Sequence, residues 1–287
     1  MTVWRPWDAE DDEYAERLEI KSMVPDPLRP FLHAWLREEL NTGGYGSTDA
    51  ATVHELQSGL EIDFRLGLGT VKTIDLVRRI AAEDDRFLMQ VVDYLAATYT
   101  QRMYADVPQS IATLSWHLDQ NMSAVQVSPN ESNVYRIRRR LPLGVEDSGV
   151  GAVERASEQA GKHLIKAWSA LRSLTPDTSL VMTEAIRAVE AAAGPVVIPR
   201  DKQQRLGKIA QALKARETWA LVLKQRDDGE PDHRMVLVGM IETLAYAEQH
   251  RHGGESPSPL EALAHVQLAS TLVAWFSTGI VVDTART

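Results

Sequence analysis

Apolar residues recur along this chain at spacings of three and four and almost nowhere at two, which restricts it to helices packed on helices. Leu260, Ala264, Leu268, Leu272, Trp275 and Phe276 predict the buried face of a closing helix. Ser258-Pro259-Leu260-Glu261 opens it as a capping box with proline at the first helical position, and Gly279 stops it. Upstream, Leu237, Val238, Ile241, Leu244 and Ala245 predict a helix that runs into His250-Arg251-His252-Gly253-Gly254. Leu206, Ile209 and Leu213 predict another, with Asp201 and Gln204 as its capping arrangement. Met182, Ile186, Val189 and Ala193 share one face of a helix that starts at Pro176 behind Thr175. Leu164, Ala167, Trp168 and Leu171 fall in one long helix over roughly 152–173, after a small-residue, acidic joint at 144–150. There Trp168 reads as core and His163, beside the stripe, as an ordinary packed or boundary histidine. In the first 120 residues the same period returns at Phe31, Leu32, Trp35, Leu36 and Leu40, at Ile74, Val77, Ile80 and Ala81, and at Phe87, Val91, Tyr94, Leu95 and Thr98.

The texture changes once, at residues 123–141. Two β-leaning runs, 124–128 and 134–141, flank Pro-Asn-Glu-Ser-Asn and predict a short hairpin. In the second run Arg136, Arg138 and Arg140 share one side, with Tyr135, Ile137 and Leu141 on the other. Three guanidiniums in a row suit phosphates and make these arginines candidate nucleic-acid ligands; they equally suit the wet face of a ribbon, paired with acids. The glycine-rich loop at 41–47 lacks the lysine of a phosphate cradle and reads as a connector. The expected organisation is mainly α: a helical N-terminal region (1–120), a segment with the hairpin and a long connecting helix (121–175), and a C-terminal helical bundle (176–287).

Composition narrows the function classes. The 287 residues carry a formal charge of −9, so a grip on nucleic acid through overall field is not expected and any contact must be local. No cysteine occurs, which removes disulfides, thiolate nucleophiles and zinc-finger spacings. Residues 8–19 hold seven acids against one arginine and read as a solvated helix start or an arm. Neither a signal-peptide pattern nor an apolar run of membrane-spanning length is present, so the expectation is a cytoplasmic protein without a membrane partner. No cofactor and no metal site is expected: His250 and His252 point to different sides of a helix and lack ligand partners at recognisable spacing. Glu184 and Glu190, six apart, are rotated by about 600° and do not form a carboxylate pair by themselves.

The segments LVMTEAIRAVEAAAGPVVIP, QQRLGKIAQAL, EQHRHGG and PLEALAHVQLASTLVAWFSTGIV, with HLIKAWSALRSLTPD and MSAVQVSP upstream, resemble the C-terminal domain of abortive-infection-like proteins of actinobacteria and their phages. The resemblance covers roughly 110–285. It implies a divergent HEPN-like helical bundle, a group that includes ribonucleases of toxin–antitoxin and phage-defence systems. What it implies for this chain is a phage-defence effector acting as a metal-independent endoribonuclease, with RNA and a phage-derived trigger as partners and a homodimer as the assembly. The alternative is an inactive helical module that binds nucleic acid or a phage protein. The family's catalytic pattern is an arginine followed four to six residues later by a histidine; here Arg251 is followed at once by His252, and the next histidine is His265. The resemblance therefore implies a composite site of Arg251 and His252 with His250 or Glu190 nearby. Beside it stands a capping role, in which cationic side chains meet a helix C-terminus and glycine closes it.

Overall fold

The structure, a computed structural model, describes residues 3–66, 69–101, 106–226, 229–251 and 257–285. It is mainly helical, with small two-stranded antiparallel ribbons, and divides into two units, Met1–Leu141 and Pro142–Thr287. The hairpin belongs to the first unit and the helices after it to the second. Among the described residues no helix is long and apolar enough to cross a membrane.

In the first unit, α1 (Asp11–Arg17) buries no residue, and its acidic first turn stands at the positive end of the helix. The chain behind it is tied down by main-chain bonds from Lys21 to Met122 and from Ala124 to Ser22. Helix α2 (Arg29–Glu39) buries Leu32, Trp35 and Leu36 as its period predicts. The glycine-rich loop is a tight turn in which Gly44, Tyr45 and Gly46 all have positive φ, 73°, 50° and 77°. It delivers β1 (Ser47–Thr48) to β2 (Val71–Lys72), and Asp49 then caps α3 (Ala50–Leu60) through the Thr52 amide. Helix α4 (Thr73–Ala81) buries Leu76, Val77 and Ile80, while Ile74 and Ala81 of its expected apolar face are only half-buried. Helices α5 (Asp85–Ala96) and α6 (Gln109–Gln120) complete the core, the first capped by Asp84.

The hairpin is where its sequence puts it. β3 (Val125–Pro129) pairs with β4 (Tyr135–Arg139) in the register Val127↔Ile137, and Asn130 accepts from the Ser132 and Val134 amides to close the turn. Tyr135 packs with Ala96 and Ile111 beneath it.

The second unit departs from expectation at its start. Residues 144–150 are helical, within α7 (Leu143–Arg155), and a second helix, α8 (Glu158–Leu171), follows at once. The expected single helix is broken at Ala156, which is extended at ψ 155°, and Ser157 starts α8 by accepting from the Ala160 amide. The break lets the two helices pack. Trp168 of α8 is buried against Gly149 of α7, where an added Cβ would come within 2.8 Å of the indole.

Helix α9 (Thr178–Val197) is buried along most of its length and packs on its neighbours in the second unit, α8 above all. Its cap is Asp177, which accepts from the Leu180 amide, so it starts two residues later than Pro176 suggests. α10 (Leu206–Ala215), the strand β5 (Trp219–Leu221), α11 (His233–Arg251), α12 (Pro259–Thr278) and β6 (Val281–Asp283) follow. β5 and β6 pair antiparallel with Leu221 opposite Val281, a ribbon the short apolar runs do not announce.

The Ser258–Glu261 capping box and the left-handed Gly279 stop of α12 are both present. Its buried face is another matter. Ala262, His265, Val266, Ala269, Leu272, Val273 and Phe276 face the core, and Leu260 is 74 % exposed with Ala264 also on the outside. A helix apolar on several sides does not reveal by period which side turns inward.

Candidate functional site

The second unit places one histidine, one carboxylate and one arginine together on α8 and α9. His163 sits one residue before Leu164, at the edge of the buried stripe of α8, and Glu184 lies on the side of α9 that faces it. His163 Nδ1 is 2.6 Å from Glu184 Oε2. Arg187, one turn further along α9, donates from Nη1 to Glu184 Oε1 at 2.8 Å. The Glu184 side chain is 5 % exposed, His163 22 % and Arg187 52 %, so a buried acid holds two bases that reach progressively toward water. Burial pushes the Glu184 carboxyl up, but the hydrogen bond and charge of His163, and then Arg187, outweigh it and hold the group below the usual glutamate range. A carboxylate on Nδ1 fixes the imidazole orientation and favours the tautomer with its proton there, leaving Nε2 as the basic nitrogen. Among the described residues neither Nε2 nor the remaining N–H groups of Arg187 have a hydrogen-bond partner. Such an arrangement places a nitrogen base beside a fixed positive charge.

The sequence presents His163 as an ordinary packed or boundary histidine and Glu184 only as a carboxylate that does not pair with Glu190. The signal it held was a carboxylate at 184 between Val181, Ala185 and Ala188, all fully buried. An acid in that setting requires partners: Arg187, one turn on in the same helix, supplies one, and His163 of the neighbouring helix supplies the other.

The residues singled out from sequence lie elsewhere. Arg251 is the last residue of α11, but its side chain and that of His250 are outside the described residues, as is the whole of His252. Glu190 is committed to structure: Oε1 accepts from the Leu206 amide at 3.0 Å, capping α10, and Oε2 is 3.5 Å from Arg205. It fills the place predicted for Asp201, which instead binds the Gln203 amide and Lys208.

In the first unit, Arg136 grips Asp93 of α5 with two nitrogens, Nε at 3.0 Å and Nη2 at 2.5 Å, and Asp93 also accepts from the Ile137 amide. Arg140 donates to Asp119 of α6 at 2.6 Å and to the Ser123 carbonyl, with both charged side chains under 10 % exposed. Burial raises the Asp119 carboxyl above the usual range, and Arg140 offsets only part of that. These two arginines dock the hairpin on α5 and α6. Arg138, between them on the strand, is opposite Gln126 and has an interaction of its own.

Among the described residues no group of three or more His, Cys, Asp or Glu side chains is placed to hold a metal ion. Compared with protein-family models, curated proteins and solved structures, the chain matches none.

Proposed function

We propose that this chain is an effector of the abortive-infection, phage-defence type whose second unit cleaves RNA without a metal. The observation that supports it is the His163–Glu184–Arg187 cluster. Cleavage by a neighbouring 2′-hydroxyl needs a base to take its proton, and His163 Nε2 is the group for it. Glu184 steadies the ring and the imidazolium that forms. Arg187 has N–H groups left over from Glu184 to meet the negative charge that gathers on the phosphorane. The 2′ oxygen bonds to phosphorus, the bond to the 5′ oxygen breaks, and that oxygen leaves with a proton. In this reading the proton comes from His252 or His250, with Arg251 adding positive charge. The products are a 2′,3′-cyclic phosphate and a 5′-hydroxyl.

The test is incubation of the full chain with total RNA in the presence of a chelator, with the ends of the fragments identified. Wild type is expected to leave 2′,3′-cyclic phosphates. His163→Ala is expected to slow cleavage by about a hundredfold or more, and Arg251→Ala and His252→Ala should each weaken it. An unaltered rate in His163→Ala overturns the role of this cluster. A second reading is an inactive helical module that binds nucleic acid or a phage protein; what favours inactivity is that Glu190, a candidate catalytic residue, is committed to the Leu206 amide. It is the one left standing if no form of the protein cuts RNA under several conditions.

A further inference from the structure

The first unit has an open cleft between α2 and α4, about 490 Å³ in volume, which the RNA reading does not use. Its wall is apolar along α4, where Ile74, Val77 and Ala81 line it, and the polar lining consists of His33, Arg37 and Arg78. Among the described residues no carboxylate lines the cleft, although acids outnumber Lys and Arg by 40 to 31 in the chain. Ile74 and Ala81 are the half-buried members of the α4 stripe, so the face their period predicts as buried is turned toward this opening.

The bases here are little engaged. Arg37 is exposed and has no ion-pair or hydrogen-bond partner among the described residues. Arg78 has only Asp75 of its own helix at 3.6 Å, with both side chains largely in water, where such a contact holds a guanidinium weakly. His33 has no hydrogen-bond partner on its ring among the described residues, and its Nε2 is fully buried. Burial, then the charge of Arg29, holds its pKa below the ordinary 6.5, so the ring is neutral at pH 7 and keeps one N–H to give. Arg29 itself is taken by Asp85 at 2.7 Å.

An apolar wall, one unpaired and one weakly paired guanidinium, and a lining without carboxylates among the described residues define the complementary ligand. We propose that this cleft binds a small organic anion, a carboxylate or phosphate-ester head held by Arg37 and Arg78 with an apolar body against Ile74, Val77 and Ala81. Guanidinium groups accept both heads through paired N–H donors, and the volume falls in the range of small-molecule sites, roughly 300–1,000 Å³. Inorganic phosphate lacks the body and a neutral alcohol lacks the head, so each satisfies half of the site.

Calorimetric titration of the full chain with octanoate, phenyl phosphate, inorganic phosphate and octanol tests this. Octanoate or phenyl phosphate is expected to bind saturably, and the tighter of the two is the reference ligand. Inorganic phosphate and octanol are expected to bind at least about tenfold more weakly than that ligand. The Arg37→Ala/Arg78→Ala double variant should lose about tenfold or more in affinity, and Ala34→Trp, which puts an indole at the exposed lip of the cleft, should abolish binding. All three positions are exposed, and circular dichroism of each variant checks that the fold is kept. Absence of saturable binding by both amphipathic anions overturns the proposal, as does binding that survives both variants. Inorganic phosphate binding as tightly as phenyl phosphate overturns the apolar half. None of these outcomes depends on whether the second unit cleaves RNA.

Discussion

Arg140 and Asp119, 2.6 Å apart and both nearly out of water, put a full charge pair where an unpaired charge is not tolerated. Replacing the guanidinium alone leaves Asp119 buried with its attraction gone. Arg140→Met is therefore expected to destabilise the chain by about 3–5 kcal/mol, and adding Asp119→Leu to restore much of that; chemical denaturation of both forms measures it. A small effect of Arg140→Met would mean that this arginine is free to serve a ligand. His265 makes the second case. Its ring is buried, with Nε2 3.3 Å from the Leu244 carbonyl and Nδ1 without a partner among the described residues. Burial holds its pKa below the ordinary 6.5 and the carbonyl offsets this only in part. The unfolded chain thus takes up a proton near pH 6.5 that the folded chain refuses until lower pH. Stability is full above that value and falls as pH drops beneath it, levelling only below the folded pKa. Thermal melts of wild type and His265→Phe from pH 7.5 to 5.5 should diverge, with the variant losing less stability on acidification. Parallel curves would show that His265 is not responsible.

Helix α7 meets α8 at a glycine, and the element stands or falls on that small residue. A methyl group at Gly149 would lie 2.8 Å from the indole of Trp168, whose Nε1 donates to Ser270 on α12. Gly149→Ala is expected to cost about 1–3 kcal/mol by overpacking, although alanine is the better helix former. Gly239 in α11 is the control. Among the described residues nothing lies within 4 Å of its absent Cβ, and Gly239→Ala should gain about 0.5–1 kcal/mol. Equal and favourable effects at both sites would refute the close crossing. The cap of α10 belongs to this scale as well. It comes from Glu190, sixteen residues before Leu206, so local capping rules that point to Asp201 miss it. Helix α12 shows the complementary case: its box at Ser258 and Glu261 is complete within four residues and is legible, but its inward side is not.

Each of the two units has its own buried apolar residues, Leu32, Leu36, Ile80 and Leu114 in one and Leu164, Val189, Ile209 and Leu272 in the other. A segment with a complete core of its own folds alone. Residues 142–287, expressed separately, are expected to show helical circular dichroism and one cooperative melting transition. A broad, uncooperative melt would show that the unit needs the rest of the chain. Two of the short ribbons lie beyond local sequence signals: β5 pairs with β6 about sixty residues later, and β1 with β2 across α3.

Sequence alone determined the helical character of this chain, the hairpin with its Asn130 turn, and the box and stop of α12, because each depends on contacts within a few residues. Tertiary structure alone decided which side of α12 is buried, where Arg136 and Arg140 spend their charge, and that His163 meets Glu184. Those outcomes depend on which surfaces and charges a distant segment brings up, and a period of 3.6 carries no record of the neighbour.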